Sequence, residues 1–206
     1  MLIQAQVGPI VSSTSLGVGT NPNLRLDNTG GLTVTQLNAR YYEPTYRRQM
    51  FTIANQSGVT TSAGLTTTYV GLCIANPTTS TVNAVITKIG YAFLVAPAAA
   101  MTIGIMTGVG ASITGAITPR NRFVGGVTSQ VLASTSLTLP GTPVLETILA
   151  SGLTAAITTS PTGVSGFTDL EGSLILPPGS FACFYTSSAS GASSFFGSFQ
   201  WVEVPL

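Results

Sequence analysis

Charged residues are scarce in this chain. Only 6% of its 206 residues are charged, Lys88 is its single lysine, and it has no histidine. An ordinary soluble domain carries about 25% charged residues, so this surface is either covered with uncharged polar groups or hidden against other chains. Without histidine the chain also lacks the commonest general base and metal ligand. The composition therefore favours a structural or binding protein that assembles over an enzyme.

Other absences exclude further classes. The net charge is +1 and the pI about 7.8, so the chain as a whole has no basic footprint for nucleic acid. The segments Gly-x-Ser-x-Gly, Gly-x-x-x-x-Gly-Lys and Cys-x-x-Cys do not occur. The first residues, MLIQAQVGPIVSS, lack a basic region ahead of a sustained apolar run, so we expect no secretory signal peptide.

One uncharged, strongly apolar segment raises the question of a membrane span. Residues 89–119 carry no charge, but Pro97 lies within them and Gly104, Gly108 and Gly110 recur after it. A spanning helix needs about 20 apolar residues, and no basic cluster flanks this run. We interpret it as two buried strands, GYAFLV and MTIGIMT, joined by a turn around Pro97, and expect no membrane partner.

The two cysteines, Cys73 and Cys183, lie far apart in apolar, strand-like segments. Buried free cysteine usually behaves as a small hydrophobic residue, and this is the interpretation we favour. A disulfide requires the two strands to be neighbours, and nothing in the sequence indicates an oxidising compartment.

Apolar segments and turn residues alternate over most of the chain. A hydrophobic fraction of 44% and a mean hydropathy of +0.47 predict a packed core. Residues 1–50 form a lead-in with weak apolar periodicity, which we interpret as an extended arm, and residues 51–206 form the globular domain. Short strands at this spacing predict an all-β sandwich or barrel. Eight strands in two sheets would suit a jelly-roll-like β-sandwich, which is the interpretation we favour, although the sequence does not reveal the strand order. The predicted strands are Tyr69–Ala75, Ala84–Val95, Met101–Thr107, Gln130–Ala133, Pro143–Leu149, Ser173–Leu176, Phe181–Thr186 and Ser198–Val204.

The last predicted strand has apolar groups on both faces. Because side chains alternate along a strand, Phe199, Trp201 and Glu203 share one face, and Gln200 and Val202 share the other. One face must cover the core, and the other is a candidate subunit contact. We expect Phe199 and Trp201 at that subunit interface, with the alternative that Trp201 is an ordinary core aromatic.

The densest polar and aromatic cluster occupies residues 40–48, RYYEPTYRR. Tyrosine and arginine are enriched at interface hot spots, so this segment is the candidate partner-binding site. One alternative is local packing of the arm, with Glu43 paired to an arginine, and a less favoured one is nucleic-acid binding. The candidate contact residues are Arg40, Tyr41, Tyr42, Tyr46, Arg47 and Arg48.

The acidic residues give little support for catalysis or for cation binding. Asp169 and Glu171 form the only close acidic pair, and a solvated turn explains them better than a glycosidase pair or a cation site. Arg120 and Arg122 form a second small basic patch, for which a loop salt bridge is the simplest explanation. We therefore expect no catalytic residues, no metal and no cofactor.

Three stretches resemble virion structural proteins of tailed bacteriophages. They are RYYEPTYRRQMFTIANQSGVTT (40–61), GLCIANPTTSTVNAVITKIGYAFLVAPAAAMTIGIMTG (71–108) and LILPPGSFACFYTSSASGASSFFGSFQWVEVP (174–205), about half of the chain. The resemblance is to capsid decoration (cement) and head-fibre proteins. It implies a jelly-roll-like subunit, a homotrimer, bound to the major capsid protein on the outer surface of a virion assembled in the host cytoplasm.

This resemblance supplies no catalytic residues. From the net charge of +1 and the few basic residues, we expect no nucleic-acid partner. The expected role is stabilisation of the head by multivalent binding. The alternative is a fibre or tail-tip module that binds a host receptor or glycan, for which exposed aromatics among Ser, Thr and Asn are suitable.

Overall fold

The computed structural model describes residues 40–95, 97, 99–153 and 165–206. In these residues one short helix precedes ten strands. The helix α1 spans Tyr42–Tyr46. The strands are β1 Met50–Ala54, β2 Thr68–Asn76, β3 Val82–Phe93, β4 Met101–Val109, β5 Arg120–Asn121, β6 Leu132–Thr138, β7 Val144–Leu153, β8 Ser165–Leu176, β9 Ser180–Thr186 and β10 Phe195–Pro205.

The strands form two five-stranded sheets with a jelly-roll order. Sheet I runs β5-β1-β10-β3-β8, and sheet II runs β6-β2-β9-β4-β7. Apart from β5 and β6, the first strand pairs with the last, the second with the next to last, and so on inward, always antiparallel. A long antiparallel hairpin rolled up in this way gives the two Greek keys of a jelly roll. The predicted all-β, jelly-roll-like sandwich is thereby confirmed.

All eight predicted strands are present with shifted ends. The charge-free segment divides as predicted into β3 and β4. Two strands were not predicted, β1 and β5, of five and two residues. The prediction also stopped short of the first half of β8, Ser165–Gly172, which is an edge segment without buried residues. The strand β5 and this half of β8 are held mainly by backbone pairing, which leaves little hydrophobic signal. The strand β1 does bury Met50, Phe51 and Ile53, but it is only five residues long and begins at the predicted boundary between arm and domain.

The core between the sheets corrects one expectation. On β10, alternate residues from Phe195 to Glu203 are buried, as the alternation predicted. However, Phe199 and Trp201 are 0% exposed within this single chain. Phe199 packs on Phe184 with ring centroids 4.8 Å apart, and Trp201 stacks on Phe51 at 6.2 Å. These two side chains are therefore core residues and not subunit contacts, because Phe184 of the opposing sheet packs on Phe199 and Phe51 of the neighbouring strand packs on Trp201.

A second buried cluster includes both cysteines. Cys73 and Cys183 pack with Tyr69, Met106 and Ile113. On β2 and β9 the cluster residues alternate with residues of the main core, so the cluster lies on the other face of sheet II. The β4–β5 connection, which contains Ile113, helps to cover it. The cysteines are buried, as predicted.

Residues Glu43–Leu206 form one compact unit, and the described residues 40–42 belong to a separate one. The first 39 residues of the predicted arm lie outside the described residues, so the division at residue 50 stays a prediction. In the described part of the chain, no helix has the length and apolar character needed to cross a membrane.

Candidate binding surfaces

The predicted contact segment ends in a tightly capped helical turn. The amide of Gln49 donates to the Pro44 carbonyl and the amide of Arg48 to the Thr45 carbonyl, both at 2.9 Å. These two bonds, with Arg48 at a φ of 62°, form a Schellman cap. The cap turns the chain into β1 and holds the backbone of Arg48 in place, so the side chain extends from a fixed position.

The predicted contact residues divide between the two units. Arg40 lies over the Tyr41 ring, with its guanidinium carbon 5.3 Å from the centroid. Arg47 Nε donates to Glu43 Oε1 at 2.6 Å, so the local ion pair that the sequence allowed is present. An exposed pair of this kind contributes about 0.3–0.5 kcal/mol. The exposed fractions are 46% for Tyr42 and 63% for Tyr46, which leaves ring surface available for contact.

Asn121 joins the two basic segments of the sequence. Its Nδ2 donates to the Arg48 carbonyl at 2.7 Å, and its Oδ1 accepts from the Phe123 amide at 2.8 Å. The Arg48 guanidinium lies 5.0 Å from the centre of the Phe123 ring, a cation–π distance. The amide of Arg122 donates to the Met50 carbonyl at 2.8 Å. The loop after β5 is therefore held beside the end of α1.

A turn in this loop presents an apolar tip. The Gly126 amide donates to the Phe123 carbonyl at 2.8 Å, and Gly125 has a φ of 79°. This is the geometry of a four-residue turn that needs glycine at its third position. Val124, at the second position, is 93% exposed.

We call the surface formed by Tyr46, Arg47, Arg48, Phe123 and Val124 the anchor patch. Sequence reasoning identified the first three residues and missed the last two. The Gly-Gly turn after Phe-Val was the only local signal for them. The sequence treated residues 40–48 and 120–122 as separate patches and favoured a salt bridge for the second. Within the compact unit, the fold brings residues 46–48 and 120–122 to one edge of sheet I.

The collected charge also reopens an excluded interpretation. Arg47, Arg48, Arg120 and Arg122 all lie at this edge and are all exposed, and the chain has only seven basic residues. Nucleic-acid binding was disfavoured because few basic residues surround residues 40–48. That reason does not hold in the folded chain. The remaining argument against nucleic acid as the partner is the apolar side chain of Val124 at the tip of the turn.

A shallow groove crosses the outer face of sheet I. It has a volume of about 320 Å³ and is lined almost entirely by apolar groups. Phe167 on β8 lies directly opposite Gly90 on β3, and Phe196 on β10 lies opposite Ala92. The small side chains form the floor and the two rings the walls. Lys88 Nζ lies 5.3 Å from the centre of the Phe167 ring.

The acidic pair forms a turn within β8. The Glu171 amide donates to Asp169 Oδ1 at 3.0 Å, and Glu171 and Gly172 have φ values of 53° and 82°. Lys88 Nζ lies 3.8 Å from Asp169 Oδ2. The local turn agrees with the turn that the sequence favoured.

A buried carboxylate holds the end of the β5–β6 loop. Glu203 is 7% exposed, and its Oε1 accepts hydrogen bonds from Ser129 Oγ and from the amides of Gln130, at 3.0 Å, and Val131, at 3.5 Å. Trp201 Nε1 lies 3.5 Å from the same oxygen. The carboxylate satisfies backbone donors, which is a structural role.

Among the described residues, no group of three or more His, Cys, Asp or Glu side chains could hold a metal ion. Comparisons with protein-family models, curated proteins and solved structures found no match to this chain. Its function must therefore be argued from the surfaces described above.

Proposed function

We propose that this chain is a virion structural protein, a capsid decoration (cement) subunit that binds the outer shell through a multivalent oligomer. The anchor patch is the observation that carries the proposal. Arginine and tyrosine are enriched at protein interface hot spots, and clustered exposed apolar side chains mark interaction surfaces. The jelly roll is compatible with the role, since viral capsid domains use it, but a fold alone does not define a function.

The chemistry of the anchor patch indicates a protein partner with acidic groups. Arginine binds carboxylates through two parallel hydrogen bonds, and four arginines lie at this edge. Val124 at the tip cannot stack on a base or pair with a phosphate, but it can fill an apolar pocket. The combination favours the major capsid protein over nucleic acid as the partner.

The remaining surface supports self-association. Large apolar side chains are exposed at several places, including Val109, Ile148 and Phe167 at 76%, 60% and 67%. With so little charge around them, these groups favour contacts between copies. In a homotrimer three anchor patches would dock together, and their modest affinities would combine through a high effective concentration.

Immunogold electron microscopy of particles from the source lysate tests the location. Dense label over the heads is expected. Label confined to the tails would support the receptor-binding alternative, and particles without label would contradict both virion roles.

A binding assay with undecorated shells tests the anchor patch. We expect the variant Arg48→Ala with Val124→Ser to lose at least tenfold in shell affinity, because each docked copy loses a charge and an apolar contact. Lys88→Ala is the matched control, since it removes a positive charge from another part of sheet I. Unchanged occupancy for the double variant would show that shell binding uses another surface.

The groove on sheet I favours a second candidate function. Two aromatic walls over a floor of small side chains suit the flat apolar face of a sugar ring, and jelly rolls also serve as lectin domains. The alternative role is a fibre or tail-tip module that binds a host glycan. A glycan array probed with the full chain tests it: binding lost in Phe167→Ala and kept in Arg48→Ala would favour recognition of glycans through the groove.

A further inference from the structure

The two cysteines face each other across neighbouring strands. Cys73 on β2 and Cys183 on β9 are direct partners in the antiparallel register. Residues opposite each other in such a pair have Cα atoms about 4.5 or 5.5 Å apart, and disulfides span about 4.4–6.8 Å. The Cys183 thiol donates to Cys73 Sγ at 2.7 Å, so the sulfur atoms already point at each other.

The surroundings keep this pair protected. Both cysteines are 0% exposed and are free thiols. Burial raises the pKa of the Cys183 thiol well above 9.0, and the contact with Cys73 raises it further. Because the thiolate is the reactive form, both effects slow oxidation of the closed fold. The covering β4–β5 connection is held by backbone bonds such as Gly110 N to Gly179 O at 2.9 Å, and its opening would expose the sulfurs.

We propose that Cys73 and Cys183 form a reversible cross-strand disulfide, remaining a dithiol in reducing surroundings and closing when a disulfide oxidant reaches them. One thiolate attacks the oxidant's S–S bond and releases one thiol of the oxidant. The other cysteine then attacks the mixed disulfide and releases the second thiol. The protein loses two electrons and two protons, and the oxidant is reduced to two thiols.

The bond would join the two strands without a change of partners. The cysteines lie 110 residues apart, so the cross-link closes a long loop and constrains the unfolded chain strongly. A disulfide between paired residues of one sheet leaves the jelly-roll order intact. This inference does not depend on which partner the anchor patch binds.

The test uses the full chain, purified in a reducing buffer and then incubated with oxidised glutathione. Urea below the unfolding transition is included in a parallel series to open the cover. After denaturation the remaining thiols are alkylated and the intact mass is measured. We expect the chain to lose two hydrogen atoms and to take up no alkyl group, with a peptide linking Cys73 to Cys183. Dithiothreitol should reverse the change.

Controls and stability make the result decisive. Cys73→Ala and Cys183→Ala each retain one thiol and should lose no hydrogen pair. The oxidised chain should melt about 10 °C higher than the reduced chain. Three results would overturn the proposal. They are full alkylation of both cysteines in every sample, a glutathione adduct that never converts to the internal disulfide, and a lower melting temperature after oxidation.

Discussion

Glu203 offers the sharpest test of the packing described here, because its carboxylate is buried and one oxygen faces several donors. Replacement by alanine removes the acceptor for Ser129 Oγ and for the amides of Gln130 and Val131. Replacement by glutamine keeps an oxygen in a side chain of similar size. The two variants therefore separate loss of the acceptor from loss of the charge.

The expected magnitudes follow from these bonds. A hydrogen bond to a charged group contributes about 1.5–3 kcal/mol, and an unsatisfied buried donor costs about 1–3 kcal/mol. Ser129 Oγ also accepts from the Val131 amide at 2.9 Å, so that amide keeps a partner. We expect Glu203→Ala to lower the free energy of unfolding by about 3 kcal/mol and Glu203→Gln by about 1 kcal/mol.

Urea unfolding followed by tryptophan fluorescence measures both effects. Trp201 is the single tryptophan of the chain and lies beside the carboxylate, so it reports on this site and on the core. The midpoint should fall by about 1–2 M for Glu203→Ala with an unchanged slope. Glu146→Ala is the control, because Glu146 is exposed and should change stability by about 0.5 kcal/mol or less. An alanine variant as stable as the native chain, or a glutamine variant as unstable as the alanine one, would refute the reasoning.

Three further perturbations test other parts of the fold. Phe199→Ala should cost about 3–5 kcal/mol in urea unfolding without changing the oligomeric state seen by light scattering, since the ring is a core residue; dissociation at unchanged stability would contradict this. Gly104→Ala should cost about 1–3 kcal/mol in the same assay, because the new Cβ would lie 2.4 Å from the Thr147 carbonyl oxygen; a neutral result would show that the strands separate freely. Burial raises the pKa of Cys183 above 9.0 and that of Tyr69 above 10.0 in the folded chain. As pH rises, the unfolded chain therefore loses these two protons at a lower pH than the folded chain does. In reducing buffer, stability should therefore fall by up to about 1.4 kcal/mol per pH unit for each group, starting near its ordinary pKa, and Tyr69→Phe should remove the second part.

Local patterns were sufficient where strands face the core. The alternation in β10 correctly grouped Phe199, Trp201 and Glu203 on one face, and the apolar runs located β3 and β4. The patterns failed where a strand is short or lies at an edge, as in β5 and the first half of β8. Such segments are held by backbone pairing with a neighbour, which leaves little trace in side-chain type.

The candidate surfaces were predicted only in part. The sequence identified Tyr46, Arg47 and Arg48 from composition, but it gave no reason to connect them with Phe123 and Val124 in the loop after β5. The two segments are joined by the pairing of β1 with β5 and by the side chain of Asn121, which bonds to both of them. No local pattern reveals a partner that lies more than 70 residues away in the chain.

The sequence by itself determined an all-β chain with buried cysteines, few charges and a fixed face for each core residue. These properties follow from side-chain chemistry and the two-residue period of a strand, which are local. Only the tertiary structure decided the jelly-roll order, the packing of Phe199 against the opposing sheet, the gathering of four arginines at one edge and the pairing of Cys73 with Cys183. Each of these depends on which strands become neighbours, and that choice is made by packing between distant segments.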